Sequence, residues 1–115
     1  MSLKSKRAQM ARYQTDLNRI TPETSKVNKD HLFYNKRIAI TGTLHMKRKD
    51  IVQYIVNNGG IYTEEIDTID IFIMGKSKQG VAKKEGIVRN KIALGNEIML
   101  INDDKLKDLI AFYDI

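Results

Sequence analysis

Apolar residues in this chain come in short runs separated by polar punctuation. Arg37-Ile38-Ala39-Ile40-Thr41 is apolar at its centre and stops at Gly42. A short run of consecutive apolar positions predicts a strand buried on both faces, as in a parallel sheet. From Arg48 the apolar residues fall at Ile51, Val52, Tyr54, Ile55 and Val56, and Asn57-Asn58-Gly59-Gly60 closes the segment. That spacing predicts a helix with a glycine stop. Ile61-Tyr62-Thr63 predicts a second strand, and Ile71-Phe72-Ile73-Met74, stopped by Gly75, a third. After a polar loop at 76–80, a helix is predicted from Ala82 to Leu94, weakened by Gly86 and ended by Gly95-Asn96. Ile98-Met99-Leu100-Ile101 predicts a fourth strand. Asn102 or Asp103 then caps a last helix carrying Leu106, Leu109, Ile110 and Phe112.

The order β-α-β-β-α-β-α predicts an α/β fold, a four-stranded parallel sheet with helices on both faces. Ahead of it, Leu3, Met10, Tyr13, Leu17 and Ile20 have helical spacing, with Lys4, Lys6, Arg7, Arg12 and Arg19 between them. This predicts a basic amphipathic helix that is marginal on its own. Thr21-Pro22 ends it, because proline disfavours a helical residue before it. Residues 21–30 have linker composition. The expected division is therefore a basic helical extension and linker at 1–30 and a domain at 31–115.

Composition narrows the possible chemistry. A chain of 115 residues suits one domain. With no cysteine there is neither a disulfide framework nor thiolate chemistry, and two isolated histidines make a poor zinc site. No apolar run is long enough to cross a membrane, and the N-terminus lacks the apolar stretch of a signal peptide, so a cytoplasmic protein with no membrane partner is expected. The net charge of +6 is unevenly placed. Residues 1–30 hold seven Lys/Arg against three Asp/Glu, and residues 31–115 hold thirteen against eleven. A basic arm ahead of a near-balanced domain suits an anionic partner such as nucleic acid; on charge alone, a solvated linker has an equal claim.

The motifs in their order carry a resemblance. Ile40-Thr41-Gly42-Thr43-Leu44, Arg48, Gly59-Gly60, Ile71-Phe72-Ile73-Met74-Gly75, and Gly95-Asn96-Glu97-Ile98 through Asp103 and Leu106 resemble the BRCT family, over about residues 33–112. Each motif is weak alone; their order and spacing are specific. Within the family, Leu32-Phe33-Tyr34-Asn35-Lys36-Arg37 and the Gly95–Ile98 turn resemble the C-terminal BRCT domain of bacterial DNA polymerase III epsilon-type exonucleases, with NAD-dependent DNA ligase next. There are departures. No tryptophan is present for the last helix, so Leu106 and Ile110 must fill that space; Ile69 stands where a threonine is common; and Ala82-Lys83-Lys84 lacks the hydroxyl of the usual Ser-x-Lys.

The resemblance implies a phosphate pocket. Residue by residue it assigns Thr41 and Gly42 at the end of strand one, Arg48 at the start of the first helix, and Lys84 at the start of the second. The physics suits that placement. Glycine lets an anion approach the backbone, helix N-termini present free N–H groups, and strand ends in an open α/β sheet converge on one edge. Arg grips a phosphate bidentately, while Lys acts as a point charge. Each residue also has a plainer reading. Thr41 can satisfy its own turn, Gly42 can simply permit that turn, Arg48 can be a solvated helix start beside Lys47 and Lys49, and Lys83 competes with Lys84. Gly59-Gly60 read as structural, and Tyr34, Tyr54 and Tyr62 as packing. His45 reads as a solvated loop residue with no partner to orient it, and Asp103-Asp104 as a helix cap.

The expected function is a non-catalytic DNA-binding module of a replication or repair protein. It would hold duplex ends or 5′-phosphates at Thr41, Gly42, Arg48 and Lys84. Lys4, Lys6, Arg7, Arg12 and Arg19 would add salt-sensitive backbone contacts. The alternative is a protein-interaction or scaffold module of the replication machinery. An enzyme fails on inventory: there is no cysteine nucleophile, paired histidine, phosphate-cradling glycine motif or clustered metal-binding carboxylates. No cofactor is expected.

Overall fold

The computed structural model describes residues 17, 19–23, 27–76 and 83–114. The elements are β1 (Arg37–Thr41), α1 (Arg48–Asn57), β2 (Ile61–Tyr62), β3 (Ile71–Met74), α2 (Lys83–Ala93), β4 (Met99–Asn102) and α3 (Asp103–Tyr113). A 3-10 turn at Ile66–Thr68, which the apolar pattern does not announce, joins β2 to β3. All pairings are parallel, in the order β2-β1-β3-β4. The expected α/β fold with a four-stranded parallel sheet is what forms.

Strand order decides which helix covers which face. From β1 the chain crosses to β2 on one side, and from β3 it crosses to β4 on the other. Right-handed crossovers in opposite directions put α1 and α2 on opposite faces. The core divides accordingly. Ile38, Ile40, Ile71, Ile73 and Ile101 point to one face, where they meet Ile51, Val52 and Ile55 of α1 and Leu106 of α3. Ala39 and Phe72 point to the other and meet Val88 of α2, with Ile69 alongside. The period-two alternation of a strand thus feeds both faces from one apolar run. Leu106 is fully buried and Ile110 partly so in the first cluster, as expected of the residues replacing tryptophan.

Boundaries differ locally from the sequence pattern. β4 runs one residue later than Ile98–Ile101, because its register sets Met99 opposite Ile71 and Asn102 opposite Met74. Thr63 falls outside β2, although its amide still donates to the Ile38 carbonyl. Ala82, the expected start of α2, lies outside the described residues. α1 ends as its Asn-Asn-Gly-Gly predicts. Gly59 takes a positive φ of 78°, its amide donates to Val56, and the Gly60 amide donates to Ile55, closing the last turn's carbonyls.

Part of the first thirty residues packs on this domain. Leu17 is only 2% exposed and belongs to the α1/α3 core cluster, with Ile20 packed against it. Asn57 Oδ1 accepts from the Glu23 amide and Gln53 Nε2 donates to the Thr21 carbonyl.

Candidate phosphate site at the sheet switch point

β1 and β3 are neighbours whose following crossovers run in opposite directions. Their C-terminal ends therefore form the crevice where open α/β sheets bind ligands. Two glycines bring the chains together there. Gly42 has φ +77°, and a Cβ on it would lie 2.7 Å from the Gly75 carbonyl carbon and oxygen. The Gly75 amide donates to the Thr41 carbonyl at 2.7 Å, and Thr43 and Lys76 exchange two backbone bonds at 2.9 Å. Sequence reading took Gly42 as an anion approach or a turn. Its backbone contact with Gly75 is a second, structural demand.

Beyond this pinch the chain runs through residues 42–47 into α1. A cavity of about 350 Å³ opens there, lined among others by Gly42, Thr43, His45, Lys47 and Arg48. Arg48 Nη2 donates to the Gly42 carbonyl at 3.3 Å, which turns the guanidinium back over the loop. Lys47 is the N-cap of α1 and supplies no side-chain cap bond. The helix start thus keeps free N–H groups and its partial positive charge beside Lys47, Arg48 and Lys49.

Of the four residues named from the sequence, the structure brings Gly42 and Arg48 together in this cavity. Thr41 ends β1 immediately before it, partly exposed, and is not in the lining. Lys84 is exposed in the first turn of α2 and also lies outside the lining. Of the arm residues, Arg19 is exposed, and Lys4, Lys6, Arg7 and Arg12 lie outside the described residues.

His45 is not the unpartnered loop residue expected from the sequence. Its Nδ1 lies 2.5 Å from Asp103 Oδ1, and its amide donates to the same carboxylate at 3.1–3.2 Å. The hydrogen bond from His45 holds the Asp103 carboxyl below its ordinary value. Nor is Asp103 the cap: Asn102 caps α3, its side chain accepting from the Lys105 amide at 2.8 Å. That frees Asp103 for His45. The two are 58 residues apart in sequence, and the registers of β1 and β4 on either side of β3 bring them together. A neighbouring cavity of about 320 Å³, lined by Gly75, Lys76, Asp103 and Lys107 among others, adds two cations the sequence did not single out. Among the described residues no three His, Cys, Asp or Glu side chains group as metal ligands.

The tyrosines serve packing. Tyr34 and Val27 lie directly over Gly59. Tyr54 Oη is 2.8 Å from His31 Nε2. Burial, the Asp114 carboxylate and Tyr113 push the Tyr54 phenol up to about 12.

Residues 28–110 match the family model of the BRCA1 C Terminus (BRCT) domain. The chain belongs to the BRCT family. Among curated proteins this BRCT domain is similar to the DNA ligase of Mycoplasmopsis synoviae (strain 53), at 28% identity over 88 residues, which is 76% of this chain and 11% of the ligase. The chain thus spans about a tenth of that relative's length. The similarity falls on the ligase that sequence reading ranked second, not on an epsilon-type exonuclease. No solved structure matches this BRCT domain. No helix among the described residues is long and apolar enough to cross a membrane.

Proposed function

We propose that this BRCT domain is a non-catalytic module of a DNA replication or repair protein and that it holds the 5′-phosphate of a DNA end. The observation that carries the reading is Arg48, tied back to the Gly42 carbonyl over a cavity at the sheet switch point. An arginine there, with α1 amides unclaimed by a side-chain cap, suits a bidentate grip on a phosphate without a metal or cofactor. Thr41 adds a hydroxyl at the end of β1, and Lys84 a more distant charge. Residues 1–30, with Lys4, Lys6, Arg7, Arg12 and Arg19, form a basic arm that adds backbone contacts to the domain at 31–115. Similarity to a ligase and the resemblance to exonuclease BRCT domains both suit a DNA partner and a cytoplasmic setting. Any parent catalytic centre belongs to other residues.

The test is binding to a duplex with a recessed 5′-phosphate and to the same duplex without it, at two salt concentrations. A phosphate-dependent affinity that Arg48→Ala lowers about tenfold or more, the size of one charge-assisted contact, is expected. Binding indifferent to both phosphate and Arg48 leaves a general DNA contact through the arm and sinks the pocket.

A second reading, a protein-interaction module, rests on Leu94 and Phe112, which are 76% and 69% exposed. Under that reading Phe112→Ser abolishes partner capture by the full-length protein and leaves DNA binding intact.

A further inference from the structure

Beside Gly42 and Arg48, the same crevice holds His45 and Asp103. His45 lines the same cavity as Arg48. Asp103 stands at the start of α3 and binds the His45 imidazole through Nδ1 and the His45 amide through both carboxylate oxygens. A carboxylate only accepts, so Nδ1 must carry the proton. The remaining nitrogen, Nε2, makes no hydrogen bond among the described residues. One bond thus fixes the ring and two more hold its backbone amide, leaving Nε2 without a structural duty in the cavity that Arg48 also lines.

We propose that His45, oriented by Asp103, contacts the bound phosphate and selects a terminal phosphomonoester over the phosphodiesters of the DNA backbone. This rests on the phosphate pocket proposed above and adds its specificity. The reason is proton inventory. With Nδ1–H given to Asp103, a neutral ring offers only a lone pair at Nε2, which repels an oxygen that carries no proton. A phosphodiester has no proton to offer. A phosphomonoester has a second ionisation near pH 6, at about pKa 6, so its monoanion carries one P–O–H. That proton can bridge to Nε2, or pass to it to give the phosphate dianion and an imidazolium. In either case one proton sits between ring and phosphate. Arg48 accepts either phosphate type, whereas His45 rewards the terminal one.

The charged groups around the ring are consistent with this. Lys47 and Arg48 come from the loop and α1, Asp104 and Lys107 from α3, and Lys76 from the segment after β3. The two neighbouring cavities thus carry four cations on their walls against Asp103 and Asp104, with Lys107 acting on the Asp103 carboxylate itself.

The experiment measures the affinity ratio between a recessed duplex with a 5′-phosphate and its 5′-hydroxyl counterpart, for the full chain and for Arg48→Ala, His45→Gln and Asp103→Asn. Thermal melts confirm that each variant is folded. His45→Gln and Asp103→Asn are expected to lower the ratio about tenfold, the size of one charge-assisted hydrogen bond, whatever either change does to the affinity for both duplexes alike. In the wild-type chain the His45 ring nitrogen resonances are expected to shift with the phosphorylated duplex and not with the hydroxyl one, a change that a purely structural pair would not give. A wild-type ratio that Arg48→Ala lowers and His45→Gln leaves within twofold overturns the inference while the phosphate pocket stands. A wild-type ratio of one overturns both. Phosphate dependence seen with a phosphoserine peptide and absent with DNA overturns the assignment to DNA ends.

Discussion

Gly42 shows how one residue serves two demands. Its φ of +77° lies in the left-handed region, and a Cβ would press on the Gly75 backbone. Gly42→Ala should therefore cost about 2 kcal/mol or more, read as a lower urea midpoint. Gly86 makes the contrast: it lies exposed in α2 and a Cβ there meets nothing within 4 Å. Gly86→Ala should stabilise by about 1 kcal/mol. Equal midpoints for the two variants would refute the steric account. His31 is the other decisive residue. Its Nδ1 accepts from the Phe33 amide, its Nε2 faces Tyr54 Oη at 2.8 Å, and Tyr113 stacks on it with centroids 3.9 Å apart. Burial lowers its pKa from 6.5, so below that value the unfolded chain binds the proton more readily than the fold does. The contribution is present above pH 6.5 and lost as pH falls through the lowered folded value. Melting temperature should drop between pH 7.5 and 5.5, and His31→Phe should flatten that slope. An unchanged slope would exclude His31 as its source. Asp103 acts in a separate window, its contribution being lost only as pH falls below the ordinary carboxyl value of 3.8.

At the scale of elements, α3 shows how a short helix is fixed at both ends. Asn102 caps it through the Lys105 amide, Leu106 is fully buried beneath it, and Tyr113 Oη accepts from the Leu32 amide at 3.0 Å. Asn102→Ala should cost about 1 kcal/mol, and Leu106→Ala about 2–5 kcal/mol, both by denaturant titration. A cost for Asn102→Ala below a few tenths would mean Asp103 takes over the cap, at the expense of His45. α2 is held more lightly: among its described residues only Val88 is buried, and Ile87 is 41% exposed. The weaker apolar pattern that Gly86 interrupts was visible in the sequence, and it corresponds to the thinner face of the sheet.

For the whole molecule, the strand order joins two cores and one crevice. The same reversal between β1 and β3 that sends α1 and α2 to opposite faces also opens the site at Gly42. The α1/α3 core takes in Leu17, so Leu17→Ala should destabilise the domain by about 2–4 kcal/mol. A loss under 0.5 kcal/mol would show that the docked segment adds nothing to the fold. The charges of the arm belong to a different measurement. Replacing Lys4, Lys6, Arg7 and Arg12 with Gln should reduce the dependence of log K on log salt by about 0.9 for each DNA phosphate that is no longer neutralised, with the ratio between phosphate and hydroxyl ends unchanged.

All the strands and the main helices of the domain were legible along the chain, because consecutive apolar residues, helical spacing and glycine stops are local signals; the 3-10 turn at Ile66–Thr68 was not. Ile38–Ile40, Ile51–Ile55 and Ile71–Ile73 therefore read correctly, whereas Thr41, Gly42, Arg48 and Lys84 were named together through the family resemblance, and only Gly42 and Arg48 of the four share the cavity. The structure alone decided what depends on distant residues meeting. The parallel registers set both Thr41 and Asn102 opposite Met74 and thereby carry Asp103 to His45, across 58 positions. Leu17 reads from its spacing as part of an apolar helix face, and only packing shows that it enters the α1/α3 core. Register leaves no local trace, and an apolar face does not say what it packs against, since both follow from the sheet as a whole.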